Sequence, residues 1–459
     1  MLIGIKRFVD KHYDKASISF IVILALYLYG CGAAKEETKG AAVPGGPDST
    51  QGGAAAGQGT TAIQSGAPSA WGSPEADTGE SLPPRAQMSE AAKQAYQRGV
   101  AASRSGDDVA AKAAFEEALS KDNRSYQAAF NLGVLADRQG KENDAEQYYR
   151  RALSIQPDYE LAVQGLVNIR LRRGAVSQTI AIVEPLAQKW ERNLHIQATY
   201  ADVLAQGGRL DEAEQVARNA LRRDERFVPA MISIIKSSLI RGRDELADSI
   251  LMQAIAVDSK HPELHFIKGK MAQKAGQLAD AMKSFEQAVQ LRPDYTEARM
   301  ALGIQYMASG NYQQALDQFL ASARLAPGLV AVHLNLGDAY RALKKWTEAK
   351  REFDAALRMK NDLPEAHFNL ALMYMSAGAE FPGLDMLGAY NRAISEFNNY
   401  RQLMGSKLPR EDISESYIAD LQRSIQREQQ RIEREKAKAE REKERDARPA
   451  GSDEKEGQE

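Results

Sequence analysis

The sequence predicts an all-α protein, a right-handed superhelical solenoid of about nine helix pairs followed by a long charged C-terminal helix. Two observations predict the solenoid: a glycine that returns every 34 residues, and a small residue followed by a large one that return with it. A third observation, the arginine, glutamate and lysine run after Gln426, predicts the charged helix. Self-similarity at such a period is typical of arrays in which each unit packs on its neighbours.

Length and composition are consistent with a repeat array and argue against several classes of function. At 459 residues the chain exceeds the size that one hydrophobic core usually supports. Its 60 basic and 62 acidic residues nearly cancel, which gives no support for nucleic-acid binding. Six histidines and one cysteine leave little material for a metal site or a disulfide framework. We therefore expect no nucleic-acid partner, no metal and no cofactor.

Residues 1–30 are interpreted as a lipoprotein signal peptide. A basic leader precedes an apolar run over residues 18–28, far short of the roughly 20 residues that a membrane-spanning helix needs. Tyr29, Gly30 and then Cys31, the single cysteine of the chain, follow this run. The order resembles a lipobox, which implies lipidation of Cys31, and Gly32 after it implies sorting to the outer membrane. An uncleaved anchor with an incidental cysteine is the alternative.

Residues 31–88 are predicted to form a lipidated cysteine and a disordered tether. The segment is rich in Gly, Ala, Pro and Ser and has almost no branched apolar residues. It cannot bury enough surface to offset the entropy of ordering. A flexible chain of this length spans roughly 40–45 Å on average. The tether would therefore hold the folded body away from the membrane.

The repeat register covers residues 89–408. The turn position holds Gly106, Gly140, Gly174, Gly208, Gly242, Gly276, Gly310 and Gly378, and only Lys344 interrupts the series. The small slot, five residues later, holds Ala111, Ala145, Thr179, Ala213, Ala247, Ala281, Ala315 and Ala349. The large slot, four residues further, holds Phe115, Tyr149, Val183, Leu251, Phe285, Phe319 and Phe353, with Ala217 as the exception. A small residue lets two helices approach, the large residue fills the space beside it, and glycine permits the turn.

This pattern resembles the tetratricopeptide repeat over roughly residues 90–400. Helix pairs two, six, seven and eight match it strongly, whereas pairs three to five are degenerate. In the ninth pair the second helix comes late, with Ala393 and Phe397 in the small and large slots. Residues 380–390 are therefore interpreted as an insertion, for which a binding face and an ordinary loop both stay open.

Residues 409–446 are predicted to form a capping and charged helix that Asp412 begins. Its first apolar residues recur at helical spacing and should pack on the last repeat. They are Ile413, Tyr417, Ile418, Leu421 and Ile425. The charged remainder is either a solvated tail or a docking rod for another subunit. Residues 447–459 are predicted to be disordered.

The register also predicts a partner-binding groove. In tetratricopeptide solenoids the first helix of each pair lines the concave face, and here the inward slots of pairs six to nine combine apolar, methionine and charged residues. Such a surface suits an extended or helical segment. The predicted groove residues are Phe266, Lys270, Met300, Ile304, Met307, Leu334, Asp338, Arg341, Phe368, Leu372 and Met375. Ordinary packing between repeats is the alternative for some of these rows.

Catalysis is not expected, because the sequence lacks GxxxxGKS/T, HExxH, CxxC and GxSxG motifs. The order of lipobox, tether, repeats and charged helix, together with residues 400–409, resembles the repeat lipoproteins of the myxobacterial gliding-motility apparatus. The resemblance implies an outer-membrane lipoprotein, facing the periplasm, that holds periplasmic subunits against outer-membrane barrels. A pilotin-like lipoprotein for secretin or pilus assembly and a recruiter of peptidoglycan enzymes are the alternatives.

Overall fold

The computed structural model describes residue 82 and residues 84–447. The predicted signal peptide, Cys31, most of the tether and nearly all of the predicted tail lie outside these residues. Within the described part, the chain forms nineteen α-helices and no strand.

The helices of the first seven pairs are α1 (Glu90–Arg104), α2 (Asp108–Lys121), α3 (Tyr126–Arg138), α4 (Glu142–Ile155), α5 (Glu160–Arg172), α6 (Val176–Lys189), α7 (Leu194–Gln206), α8 (Leu210–Arg223), α9 (Val228–Ile240), α10 (Asp244–Val257), α11 (Pro262–Lys274), α12 (Leu278–Leu291), α13 (Thr296–Ala308) and α14 (Tyr312–Leu325). The later helices are α15 (Val330–Ala342), α16 (Trp346–Met359), α17 (Pro364–Ala377), α18 (Met386–Met404) and α19 (Ser414–Ala447).

Contacts divide the chain into two compact units, residues 1–332 and 333–459. The first unit contains α1–α14, and the second contains most of α15 together with α16–α19. Within each unit, helices that are consecutive in the chain pack on one another, as they do in stacked repeats. The predicted all-helical solenoid is confirmed.

Glycine forms the turn inside nearly every helix pair. All eight predicted turn glycines have positive φ, between 50° and 81°. Lys344 adopts the same conformation with φ of 59°, and no other non-glycine residue of the described part does so. Left-handed backbone costs a residue with a Cβ about 1–2 kcal/mol. Lys344 therefore keeps the turn of the other pairs, but its backbone is strained because it is not a glycine.

The small and large slots build the core of each pair. Every predicted small-slot residue is fully buried, and the aromatic large-slot residues are fully buried as well. Phe285 packs across Gly269 so closely that a methyl group on this glycine would lie 2.5 Å from the ring carbon Cε1. In the fourth pair Ala201 and Ala217 occupy the two corresponding positions, and both are fully buried. Equivalent positions in different helix pairs are thus filled either by an aromatic ring packed on glycine or by two alanines packed on each other.

The ninth pair accommodates the predicted insertion by lengthening its second helix. The Asp385 carboxylate accepts a 2.7 Å hydrogen bond from the Gly388 N–H and caps α18. Residues 386–390 are consequently helical, and the insertion consists of a short loop plus this additional helical turn. Ala393 and Phe397 are fully buried, as the register predicts.

The C-terminal helix packs on the second unit through its first turns. Asp412 Oδ1 accepts a 3.1 Å hydrogen bond from the Ser414 N–H, at the predicted start of the helix. Tyr417 stacks on Phe397 with ring centroids 5.5 Å apart, and Leu421 is buried. The prediction that Ile413 packs is wrong, because this residue precedes the first helical turn and its side chain is 43% exposed.

The last residues of the predicted tether lie against the first unit. The Arg85 guanidinium donates a 2.9 Å hydrogen bond to Glu160, and its centre lies 5.8 Å from the centroid of the Tyr159 ring. The Ala86 N–H donates a 3.0 Å hydrogen bond to Gln156 Oε1. These contacts give the end of the tether a defined path, which differs from the disorder expected for it.

Candidate partner-binding surface

One inward slot of the first helices carries charge in the middle of the first unit. Asp202 in α7, Lys236 in α9 and Lys270 in α11 stand 34 residues apart in this slot. A second slot, near the start of the first helix, holds Glu263 in α11 and Glu297 in α13, also 34 residues apart. The repeat therefore presents the combination of a lysine and a following glutamate twice in succession.

The first of these lysines is enclosed by carboxylates. Lys236 is 5% exposed, and its Nζ lies 2.6 Å from Asp202 Oδ2 and 3.0 Å from Glu263 Oε1. The Ser233 hydroxyl donates a 2.7 Å hydrogen bond to Asp202 Oδ1. Burial by itself would lower the pKa of Lys236, but the two carboxylates outweigh it and raise this pKa. The cluster ties α7, α9 and α11 together through charges that compensate one another.

The second lysine, one repeat later, is not enclosed in this way. Within residues 84–447, Lys270 makes no ion pair, and its Nζ donates a 3.2 Å hydrogen bond to Gln273 Oε1 on the same helix. Burial lowers the pKa of Lys270. In the described part, Glu297 Oε2 is buried and receives no hydrogen bond. Burial raises the pKa of Glu297 to about 7, although a hydrogen bond from its own backbone N–H and the charges of Arg292 and Arg172 oppose the rise.

Five of the predicted groove residues lie in the first unit, and they differ in accessibility. Three are less than 9% exposed and belong to the packing between helices, namely Phe266, Ile304 and Met307. Lys270 and Met300 are only partly buried. A partner could therefore reach these two side chains without displacing the core.

The other six predicted groove residues lie in the second unit and divide in the same manner. Leu334, Phe368 and Leu372 are buried, whereas Asp338, Arg341 and Met375 keep part of their surface. That such residues form a groove stays a prediction, since no partner is present.

Asp338 is already engaged within the second unit. It accepts hydrogen bonds from Arg341 Nε at 3.2 Å and from Asn369 Nδ2 at 3.0 Å. Burial raises the pKa of Asp338, while Arg341 and Asn369 limit the rise. Asp338 and Arg341 thus resemble Lys236, whose charge is compensated within the chain, more than Lys270.

Sequence analysis missed Lys236, Glu263 and Glu297 as residues of interest. Following the 34-residue register to the slot near the start of the first helix would have identified both glutamates. The partners of Lys236 come from the helices of the preceding and following pairs, so their pairing required the packed structure.

The described residues also bear on membrane insertion and metal binding. Among them, no helix has the length and apolar character needed to span a bilayer. In the same part of the chain, no three His, Cys, Asp or Glu side chains are grouped in a way that could hold a metal ion.

Comparison with known families identifies repeats in three segments. Models described as tetratricopeptide repeat match residues 96–160 and 272–323, and a model described as TPR repeat matches residues 337–378. The matches include the strongly matching pairs two, six, seven and eight in whole or in part, together with most of pair one and the first helix of pair nine, and pairs three to five lie almost entirely outside them.

Two curated relatives share part of the chain. Protein O-mannosyl-transferase TMTC1 of Homo sapiens is 28% identical over 182 residues, which is 38% of this chain and 20% of that protein. TMTC1 of Mus musculus is 28% identical over 183 residues, 38% of this chain and 19% of that protein. The chain therefore spans about a fifth of the length of these relatives, and their transferase activity is not carried over.

Among solved structures, the Cut9–Hcn1 hetero-tetramer of the APC/C has a TM-score of 0.46 at 16% identity, covering 75% of this chain and 79% of that chain. Pseudomonas aeruginosa PilF has a TM-score of 0.41 at 17% identity, covering 50% and 97%. Scores and identities at this level carry no information about function. The family matches and the helical register agree that the chain contains tetratricopeptide repeats in an all-helical solenoid, an architecture of protein–protein interaction scaffolds.

Proposed function

We propose that this protein is an outer-membrane lipoprotein scaffold, anchored through Cys31, that takes part in an envelope-spanning gliding-motility machine. The observation that carries the proposal is the position of the single cysteine, shortly after a short apolar run and well ahead of the first helix that the structure describes. Acyl chains on one residue anchor a protein because each buried CH₂ contributes about 0.8 kcal/mol.

Two features of the described residues support a scaffold that works at the end of a tether. The Arg85 and Ala86 contacts join the tether to the first unit at the turn between α4 and α5. At the other end, α19 continues well beyond Leu421 as an exposed charged helix that can serve as a second point of attachment. In this proposal the repeats bind periplasmic subunits and hold them near outer-membrane barrels without performing chemistry.

Cross-linking in intact cells, followed by isolation of the full chain and identification of the attached proteins, tests this proposal. We expect stable capture of outer-membrane barrels together with periplasmic subunits. Capture of secretin monomers would favour a pilotin-like role instead, and capture of peptidoglycan enzymes would favour a recruiting role.

The anchor is tested separately with the Cys31→Ala variant. We expect the variant to leave the membrane fraction and to lose incorporation of a labelled fatty acid, with its helical circular dichroism spectrum unchanged. Retention of the variant in the membrane fraction would contradict anchoring through this cysteine.

A further inference from the structure

The turn of the second helix pair contacts the loop that follows the seventh pair. The Gly328 N–H donates a 3.0 Å hydrogen bond to the carbonyl oxygen of Arg138, the last residue of α3. Both residues belong to the first compact unit. Since consecutive helices from α3 to α14 also pack on one another, this contact, which we call the clasp, closes pairs two to seven into a ring.

The residue at position 328 departs from the repeat as the clasp requires. The loops that follow the other pairs carry a charged residue at this slot, namely Arg124, Asp158, Arg192, Arg226, Lys260, Asp294 and Asp362. Gly328 is not among the glycines with positive φ, so its own backbone conformation does not call for glycine. A Cβ on Gly328 would instead overlap the nitrogen of Gly140 and the carbonyl carbon of Gln139. Glycine is thus needed here for the close approach of the two segments.

A second observation also brings opposite sides of the ring together. Arg172, one repeat after Arg138, donates hydrogen bonds to Asp137 and, at 3.3 Å, to Glu142, on either side of the turn in the second pair. The charge of Arg172 also acts on the carboxyl group of Glu297, at the start of the seventh pair. Oε2 of this glutamate is buried. The third pair therefore faces the seventh in the same way that the second pair meets the loop after the seventh.

Ring closure limits access to the inner face, which the first helices of these pairs line. A continuous partner chain cannot enter a closed ring from the side, so it has to pass through an end of the ring or enter while the ring is open. A single backbone hydrogen bond contributes little net stability, because water replaces it when it breaks. The ring can therefore open at the clasp without unfolding of the helix pairs.

We propose that the clasp between Arg138 and Gly328 is a gate, which keeps the first unit closed and opens to admit a segment of a partner protein to the inner face of pairs two to seven. The inference rests on the proposed role as a protein-binding scaffold and is independent of the membrane anchor. A partner that binds only the open form gains apparent affinity when the clasp is weakened, in proportion to the rise in the open fraction.

The variant Gly328→Asp breaks the clasp with a residue that the loop can hold. Proline precedes residue 328 just as it precedes Asp294 in the preceding loop, so the variant copies a sequence that the chain already uses. We expect its helical circular dichroism spectrum to equal that of the natural chain. Asp294→Gly, the reverse exchange one repeat earlier, is the matched control. If Gly328→Asp does not fold, Gly328→Ala replaces it, since the Cβ alone causes the overlap.

Double electron–electron resonance measures the opening of the ring. Nitroxide labels are attached at Asp144→Cys and Arg324→Cys, two exposed positions near the two sides of the clasp, in the full chain that carries Cys31→Ala. We expect Gly328→Asp to shift the distance distribution to longer values and Asp294→Gly to leave it unchanged. An unchanged distribution in Gly328→Asp would overturn the proposal.

Access to the inner face is measured with an amine-reactive ester carried on a polyethylene glycol chain, which imitates the bulk of a protein segment. Lys270 lies in the inward slot of α11, and Lys268 on the same helix is exposed and serves as the internal control. Gly328→Asp should increase the rate of Lys270 modification severalfold and leave the rate of Lys268 unchanged. An unchanged Lys270 rate in a chain whose ring has opened would contradict the gating role.

The two proposals fail in different experiments. Both measurements on the clasp are made in solution with the purified full chain and need no partner. Failure to capture envelope proteins by cross-linking would contradict the scaffold role and leave the measured distances intact. Unchanged distances would contradict the clasp and leave the captured proteins intact.

Discussion

Lys236 and Lys270 occupy the same slot one repeat apart, but two carboxylates surround the first, whereas among the described residues the second donates to a glutamine of its own helix and makes no ion pair. Their helices have the same length and the same register, so the difference does not come from local structure. It comes from the neighbouring repeats: Lys236 receives Asp202 from the preceding repeat and Glu263 from the following one, whereas in the described residues neither neighbour supplies an ion-pair partner to Lys270. A lysine at one position of the repeat can therefore be part of a buried ion cluster in one helix pair and lack an ion-pair partner at the same position of the next pair.

The helix pairs around these lysines also differ in how they are closed. In the fourth pair, Ala201 faces Ala217, whereas in the sixth pair Gly269 makes room for the ring of Phe285. Aliphatic packing with a buried ion cluster thus characterises the centre of the first unit, and aromatic packing on glycine characterises the following pairs. In pairs three to five, the large slot holds Val183, Ala217 and Leu251 in place of an aromatic residue, and all three are buried.

The largest effect is expected for Lys236→Met, which leaves Asp202 and Glu263 as partly buried charges without their cation. Removing one partner of a buried ion pair costs about 3–5 kcal/mol. Lys270→Met is the matched control and should be neutral or stabilising. Urea unfolding followed by circular dichroism measures both variants. Equal destabilisation by the two changes would abolish the distinction between the two lysines.

A smaller loss is expected for Gly269→Ala, because the added methyl group would overlap the ring of Phe285. Overpacking of this kind costs about 1–3 kcal/mol. The reciprocal control, Ala201→Gly, removes a methyl from a pair without an aromatic ring and should cost about 0.5–1 kcal/mol through helix propensity. If Gly269→Ala unfolds at the same urea concentration as the natural chain, the packing of Phe285 does not require a glycine at this position.

The next prediction concerns pH and Glu297. Its pKa of about 7 in the folded chain exceeds the ordinary 4.5, so the folded chain retains a proton that the unfolded chain releases between these values. The free energy of unfolding should therefore decrease as pH rises from 4.5 to 7, and the loss should be complete above 7. Glu297→Gln should remove this dependence, which amounts to about 3 kcal/mol for a difference of this size between the folded and unfolded pKa. Parallel pH profiles for the variant and the natural chain would argue against a desolvated carboxyl.

The smallest effect is expected at the turn that lacks glycine. Lys344→Gly should raise the free energy of unfolding by about 1 kcal/mol, since it relieves left-handed strain at φ 59°. Gly310→Ala is the matched control in the preceding pair. A Cβ there would meet no atom within 4 Å, so the expected loss reflects backbone conformation alone. Chemical denaturation measures both, and a loss of stability in Lys344→Gly would indicate that the Lys344 side chain contributes more than its strain removes.

Much of the fold could be predicted because the same turn glycine and the same small and large residues recur in most repeats. The turn glycines, the small and large slots, and the late second helix marked by Ala393 and Phe397 all took their predicted places. Predictions at the ends of the solenoid were less successful. Ile413 fits the helical spacing, but the helix starts one residue after it, and Arg85 found acidic partners that composition could not indicate.

The sequence by itself determined the helical register. The glycine that returns every 34 residues sets the turn of each pair, and the small residue sets the distance between its helices. Both effects depend on the size of a single side chain. Only the tertiary structure decided which inward residues are core and which are accessible, since Phe266 and Lys270 lie one helical turn apart with different burial. It also decided that Lys236 is compensated and Lys270 is not. Ion pairing and desolvation depend on side chains that adjacent repeats bring together, and those distances exist only after the repeats have stacked.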